Sequence, residues 1–253
     1  MPESPARVAL PSAPAFDRAR MAALLRSDPA TAVAEVHAAA RAGHVGAQSL
    51  YAQMLCEGRG APPDPAEGLY WYTLAASAGD ARAMNMVGRC HELGHGTPAD
   101  ASRAAAWYRR AAACGLDWGM YNLANLLATG RGVKADPAAA LDWYRSAAAL
   151  GHAKSMNLVG RHYEEGWLVE RDPAAALEWY RRSAFAGDFR GQASYAAVLA
   201  GSGRIDEAAR WLRRTLATGT PAFLARTGNA LRASPHPPLQ EIGRDMLARA
   251  GSP

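Results

Sequence analysis

A chain of 253 residues with formal charge +5 is long enough for one or two domains, and its 49% hydrophobic content is that of a folded protein. The surplus positive charge is arginine scattered among acids, which argues against a nucleic-acid binder built on a basic face. No stretch approaches 18 consecutive apolar residues, and the N-terminus lacks a basic segment followed by an apolar run, so neither a membrane span nor a secretory signal is predicted, and the expected compartment is the cytoplasm.

Residues 1–13 are rich in proline, serine and alanine and read as a disordered leader. A first helix is expected through Phe16 to Leu25, and Asp28-Pro29 opens a second: aspartate accepts orphan amide hydrogens at an N-cap, and proline tolerates the first helical turn. From there the chain repeats itself. Trp71-Tyr72 returns as Trp107-Tyr108, Trp143-Tyr144 and Trp179-Tyr180, always 36 residues on, with Asp64, Asp100, Asp136 and Asp172 and with Gly79, Gly115, Gly151 and Gly187 on the same beat. A fixed period of this size means stacked supersecondary units, each burying its apolar face against its neighbours.

Within the third unit a helix A over 118–129 stops at Gly130, a loop crosses over, and a helix B runs from the cap Asp136-Pro137 to Ala149. Ala140, Trp143, Tyr144, Ala147 and Ala148 then share one helical face, so the aromatic pair reads as core. The predicted organisation is one elongated domain over 14–253. It has an N-terminal cap 14–43, repeats 44–79, 80–115, 116–151 and 152–187, a short repeat 188–219 with its deletion in the turn Gly201-Ser202-Gly203, and a C-terminal cap 220–253.

The helix A pattern, seen as Ser155, Val159, Gly160, Tyr163 and Gly166 and as Gly119, Leu123, Ala124, Leu127, Gly130, Gly132 and Val133, resembles the Sel-one-like repeat (SLR) family, a relative of the tetratricopeptide repeat. So does the helix B pattern Asp136, Ala140, Trp143, Tyr144, Ala147, Ala148 and Gly151. The resemblance implies an all-α, right-handed solenoid of antiparallel helix pairs that serves as a non-catalytic adaptor or scaffold. It does not extend to the disulfide clasps of secreted members. Cys56, Cys90 and Cys114 form no CxxC pair, fall at different phases of the repeat, and read as small apolar fillers.

By analogy with tetratricopeptide units, whose A helices line a concave groove, the groove-facing phases include Asn85, Arg89 and Glu92, then Tyr121 and Asn125, then Asn157, Arg161 and Glu164. Asparagine offers both a donor and an acceptor to an extended backbone, and arginine offers a fork to a carboxylate. The expected ligand is a protein or peptide segment, in the assembly or regulation of a bacterial-type complex. No cofactor or metal, nucleic acid or membrane is expected, and a terminal cap could pair with a second copy.

Two other readings compete. His91-Glu92-Leu93-Gly94-His95 spells the H-E-x-x-H of zinc hydrolases, in which two imidazoles on one helical face hold the metal. The repeat register instead puts Gly94 where helix A ends, and His95 in a loop. Arg109-Arg110, Arg181-Arg182 and Arg213-Arg214 on helix B could meet nucleic acid, but their place after the aromatic pair predicts a solvated outer face.

Overall fold

The computed structural model describes residues 16–251, among which there are fourteen α-helices and no strand. The expected leader, 1–13, lies outside the described residues. In chain order the helices are α1 (Arg18–Ser27), α2 (Pro29–Arg41), α3 (Val45–Glu57), α4 (Pro65–Ser77), α5 (Ala81–Leu93), α6 (Ala101–Ala113), α7 (Asp117–Thr129), α8 (Pro137–Ala149), α9 (Ala153–Glu165), α10 (Pro173–Phe185), α11 (Phe189–Gly201), α12 (Ile205–Thr218), α13 (Pro221–Arg232) and α14 (Pro237–Ala250).

The punctuation acts as the sequence predicts. Asp28, Asp64, Asp136 and Asp172 each accept backbone N–H groups in the first turn of a B helix that opens with proline. Gly58, Gly94, Gly130 and Gly166 end the A helices in the left-handed conformation. The first helix differs slightly from expectation. The first helix starts at Arg18, with Asp17 as its cap, and the last starts at Pro237, because prolines are tolerated in a first helical turn.

The chain falls into two compact units, up to Trp107 and from Tyr108, with the division inside α6. In a stack each repeat touches only its neighbours, so contacts thin with distance along the chain. The first unit holds the α1/α2 cap, the α3/α4 pair, α5 and the start of α6. The second holds the rest of α6 and the pairs α7/α8, α9/α10, α11/α12 and α13/α14, so each unit is a stack of helix pairs.

The aromatic pair divides its labour. Tyr72, Tyr108, Tyr144 and Tyr180 are all buried, whereas Trp107, Trp143 and Trp179 are partly exposed and only Trp71 of that series is buried. Neighbouring residues on a helix point about 100° apart, so the two rings part company, and Tyr144 and Tyr180 reach with their hydroxyls to Asn125 and Glu164 on their own A helices. Small residues let the helices approach. A Cβ at Gly119 would lie 2.7 Å from Ala111 Cβ, and one at Gly191 would overlap the Ser183 hydroxyl.

Each unit also contains one polar variation on the core. Where the inner repeats place Met84, Met120 and Met156, the first and fifth place the buried Gln48 and Gln192. At the next inward position they place Tyr51 and Tyr195 in place of Val87, Leu123 and Val159. Tyr51 meets Trp71 edge to face at 5.5 Å, and Tyr195 meets Trp211 in the same way at 5.5 Å.

Candidate functional site

The residues expected to line a groove separate into three kinds. Asn85 and Asn157 are buried, at 7% and 5% exposure, and Asn157 Oδ1 has no hydrogen-bond partner. At the same phase of the first repeat the Ser49 hydroxyl donates to Asp80 Oδ2 at 2.6 Å, Asp80 being the cap of the next A helix, so there this phase forms a joint between repeats rather than an open face. Asn125 and Glu164 serve the fold in another way: Asn125 Oδ1 accepts from the Tyr144 hydroxyl at 2.7 Å, and Glu164 Oε2 from the Tyr180 hydroxyl at 2.5 Å. Arg89 and Arg161 are exposed, and Glu92 and Tyr121 are half-buried. Asn85, Arg89 and Glu92 belong to the first unit, the other five to the second.

In the second unit Tyr121 belongs to an aromatic cluster that repeat reasoning did not single out. His152 caps α9, its Nδ1 accepting the Ser155 N–H at 3.3 Å, so the neutral ring carries its proton on Nε2. That buried N–H has no hydrogen-bond acceptor, and the ring lies 4.6 Å from Trp118, edge to face, and 4.7 Å from Tyr121. Burial depresses the basicity of His152, with Lys154 adding to the effect and Asp117 opposing it. Lys154 holds its ammonium 4.9 Å from the Trp118 ring and 5.9 Å from that of Tyr121. Trp118 stays 44% exposed. The available signal was register, since Trp118 stands where other repeats have Arg82, Lys154 and Arg190.

The α9–α10 loop keeps the length of its counterparts but departs from them at one position. Gly60, Gly96 and Gly132 adopt φ of 77°, 71° and 68°, and the equivalent residue of the next repeat is Leu168, at φ 62°, the one non-glycine with positive φ among the described residues. A side chain in that conformation costs about 1–2 kcal/mol. Leu168 nonetheless stands 57% exposed beside Trp167 at 48%. The Arg161 guanidinium lies 5.4 Å from the Trp167 ring, and His162 approaches the same ring edge to face, its Nδ1 2.9 Å from the Trp167 carbonyl oxygen. Two large apolar side chains are thereby held in water on a strained turn.

The H-E-x-x-H stretch does not form a helical ligand pair. α5 ends at Leu93, Gly94 turns left-handed, and His95 is exposed beyond the helix while His91 is buried. The outer arginines pack on their own helices: Arg182 lies 4.3 Å from the Trp179 ring, Arg214 lies 4.5 Å from that of Trp211, and Arg181 pairs with Glu178 at 2.8 Å. A concavity of about 440 Å³ in the first unit is lined by His37, Ala40, Arg41, Gln48, Tyr70, Trp71 and Leu74. Among the described residues no helix is long and apolar enough to cross a membrane.

Comparison with known proteins agrees with the repeat geometry. The chain is similar in structure to a Sel1 repeat protein from Oxalobacter formigenes, with 25% identity and a TM-score of 0.80 over 92% of this chain and 98% of that one. It is also similar to a protective antigen of uropathogenic Escherichia coli with an SLR fold, at 28% identity and TM-score 0.71, over 88% of this chain and 49% of that one. An immunity protein from Pseudomonas aeruginosa shares the fold at 13% identity and TM-score 0.56, over 81% of this chain and 80% of that one. No curated protein matches. Proteins built from Sel1 repeats generally mediate protein–protein interaction. Residues 45–80, 81–116, 119–152 and 153–188 each match the Sel1 repeat, more than half of the sequence in register with the helix pairs, and the chain belongs to the Sel1 repeat family.

Proposed function

We propose that the protein is a non-catalytic adaptor that binds a segment of a partner protein, in the assembly or regulation of a bacterial-type complex, and that the second unit carries the anchor. The carrying observation is the strained, exposed Trp167-Leu168 turn with Arg161 against the indole. Strain of this kind persists where the surrounding structure imposes it, and it clusters at ligand contacts. An apolar side chain of the partner would rest on Trp167 and Leu168, with Arg161 meeting a nearby carboxylate. Tyr121, flanked by Trp118 and Lys154, supplies a second aromatic contact on the A helices. Asn125 and Glu164 contribute by fixing Tyr144 and Tyr180, and the buried Asn157 by shaping the joint between repeats. In the first unit Arg89 and Glu92 offer polar contacts, with Asn85 beneath them.

The test is affinity capture from the native cell lysate, read by mass spectrometry, with wild type beside Arg161→Ala/Trp167→Ala and Arg89→Ala/Arg161→Ala. A partner recovered by wild type and lost by both folded variants supports the reading. Equal recovery by all three baits, or no partner for any, removes it.

A further inference from the structure

In the second unit the turns that lead from a B helix to the next A helix carry large apolar side chains in water. Leu150 follows α8 and Phe185 ends α10, at 57% and 66% exposure, and the exposed Trp118 stands in the first turn of α7. In the first unit the same phases of the repeat hold Ala78, Ser77 and Arg82. Cations stand among these rings. Lys154 is the second residue of α9 and Arg190 the second of α11, and neither helix has an acid in its first turn. The positive end of a helix dipole favours acids there, so both cations work against their own helices. Where Lys154 lies against Trp118, Arg190 lies 4.4 Å from the Phe189 ring and 5.9 Å from that of Phe223 on α13, which Arg226 approaches to 5.5 Å. Phe189 and Phe223 meet edge to face at 4.8 Å, which carries the row on to α13. Among the described residues Lys154, Arg190 and Arg226 make no ion pair. Two acids stand near them: Asp188 is buried and accepts the Gly191 N–H at 2.9 Å, and Asp117 accepts the Trp118 N–H at 2.7 Å.

We propose that this edge of the second unit binds an acidic segment of a partner protein in which carboxylates are interspersed with apolar side chains. The carboxylates pair with Lys154 and Arg190, and the apolar side chains rest on Leu150 and Phe185. Charge complementarity sets the sign: the cations lack carboxylate partners of their own, and the helix dipoles that oppose them attract the incoming acid. A cation laid on a ring is already partly ordered, so less freedom is lost when the carboxylate arrives. The aliphatic and aromatic surface between the charges fits a protein segment rather than nucleic acid, whose closely spaced phosphates call for a denser row of cations. This deepens the adaptor reading, on which it rests for the existence of a partner, by naming the partner's chemistry at the end of α9 opposite to Trp167.

The full-length protein is titrated into a short fluorescein-labelled peptide of alternating glutamate and leucine, and binding is read by fluorescence anisotropy. Three labelled probes run beside it: the peptide with lysine for glutamate, the peptide with serine for leucine, and a single-stranded oligonucleotide. The expected result is binding of the glutamate–leucine peptide at least about tenfold tighter than of any other probe, weakening as salt rises. Lys154→Glu/Arg190→Glu should lower that affinity at least about tenfold. Lys154→Gln/Arg190→Gln, which adds no negative charge beside Asp188, should lower it in the same direction, and so should Leu150→Ser/Phe185→Ser. Arg59→Glu/Arg103→Glu makes the same change of net charge in the first unit and should bind as wild type does. Circular dichroism and melting identify any variant that fails to fold. No binding of the peptide at about 1 mM protein overturns the proposal. So does an equal loss in the Arg59/Arg103 variant, or a preference for the oligonucleotide or the lysine peptide. Because the assay uses purified protein, its failure beside successful capture from lysate removes this edge alone, and peptide binding without capture removes the Trp167 turn alone.

Discussion

The edge of the Tyr180 ring fills the place a side chain at Gly160 would need. A Cβ at Gly160 would lie 2.7 Å from both Cδ1 and Cε1 of the ring, whose hydroxyl reaches on to Glu164 Oε2. In the α7/α8 pair the equivalent residue is Ala124, and Tyr144 bonds instead to Asn125, one turn short of the position of Glu164. Gly160→Ala should therefore cost stability although alanine is the better helix former by about 1 kcal/mol. Overpacking of this kind costs about 1–3 kcal/mol, and the net loss expected in urea unfolding is about 1 kcal/mol. A stabilised Gly160→Ala protein would show that Tyr180 moves aside freely.

Asp80 does two things where Asp136 does one. Both cap a helix, but Asp80 also accepts the Ser49 hydroxyl across the joint between repeats. Cap loss costs about 1 kcal/mol, and an added bond to a charged acceptor about 1.5 kcal/mol. Asp80→Ala should thus lower stability about twice as much as Asp136→Ala. Equal losses would mean that the Ser49 bond contributes nothing.

Gly79 and Gly96 both require positive φ, but only Gly96 is also crowded: a Cβ there would overlap the Pro65 carbonyl, whereas nothing lies within 4 Å of one at Gly79. Gly79→Ala should cost about 1–2 kcal/mol from backbone strain alone, and Gly96→Ala clearly more. Thermal melts that rank the two the other way would show that the loop shifts readily from Pro65.

Leu168→Gly should raise stability by about 1 kcal/mol, since glycine adopts the left-handed turn without penalty. The same change should weaken capture of the partner, because half of the exposed apolar pair is gone. Gain of stability with unaltered capture would leave the strained turn without a role in binding.

His152 makes stability depend on pH. Its folded affinity for protons is below the ordinary value of 6.5, because of burial, while the unfolded chain keeps the ordinary value. As pH falls through about 6.5 the unfolded state takes up the proton first, so stability present at neutral pH is progressively lost toward lower values. Protonation of Nδ1 also removes the acceptor that caps α9. His91, likewise depressed by burial, adds in the same direction. Asp188, raised by burial, opposes them at lower pH. Melting temperature should fall between pH 7.5 and 5.5, and His152→Asn, which keeps a capping acceptor without titrating there, should shrink that fall. An unchanged pH slope in the variant would assign the dependence elsewhere.

Sequence alone determined the helix pairs, their boundaries and their core. Asp-Pro starts, glycine stops and the Trp-Tyr beat are local signals, and because most repeats share them in register, the copies reinforce one reading. It also placed Gly94 at a helix end, which separates His91 from His95. What faces outward was another matter. A repeat phase names a position on a helix but not what neighbouring helices do to it, so Asn85 and Asn157 turned out to be buried, and Asn125 and Glu164 to hold tyrosine hydroxyls. The Trp118, Tyr121 and His152 cluster and the strained Leu168 are departures from the repeat. A periodic reading discounts them, while the packing of one helix pair on the next decides which side chains remain at the surface.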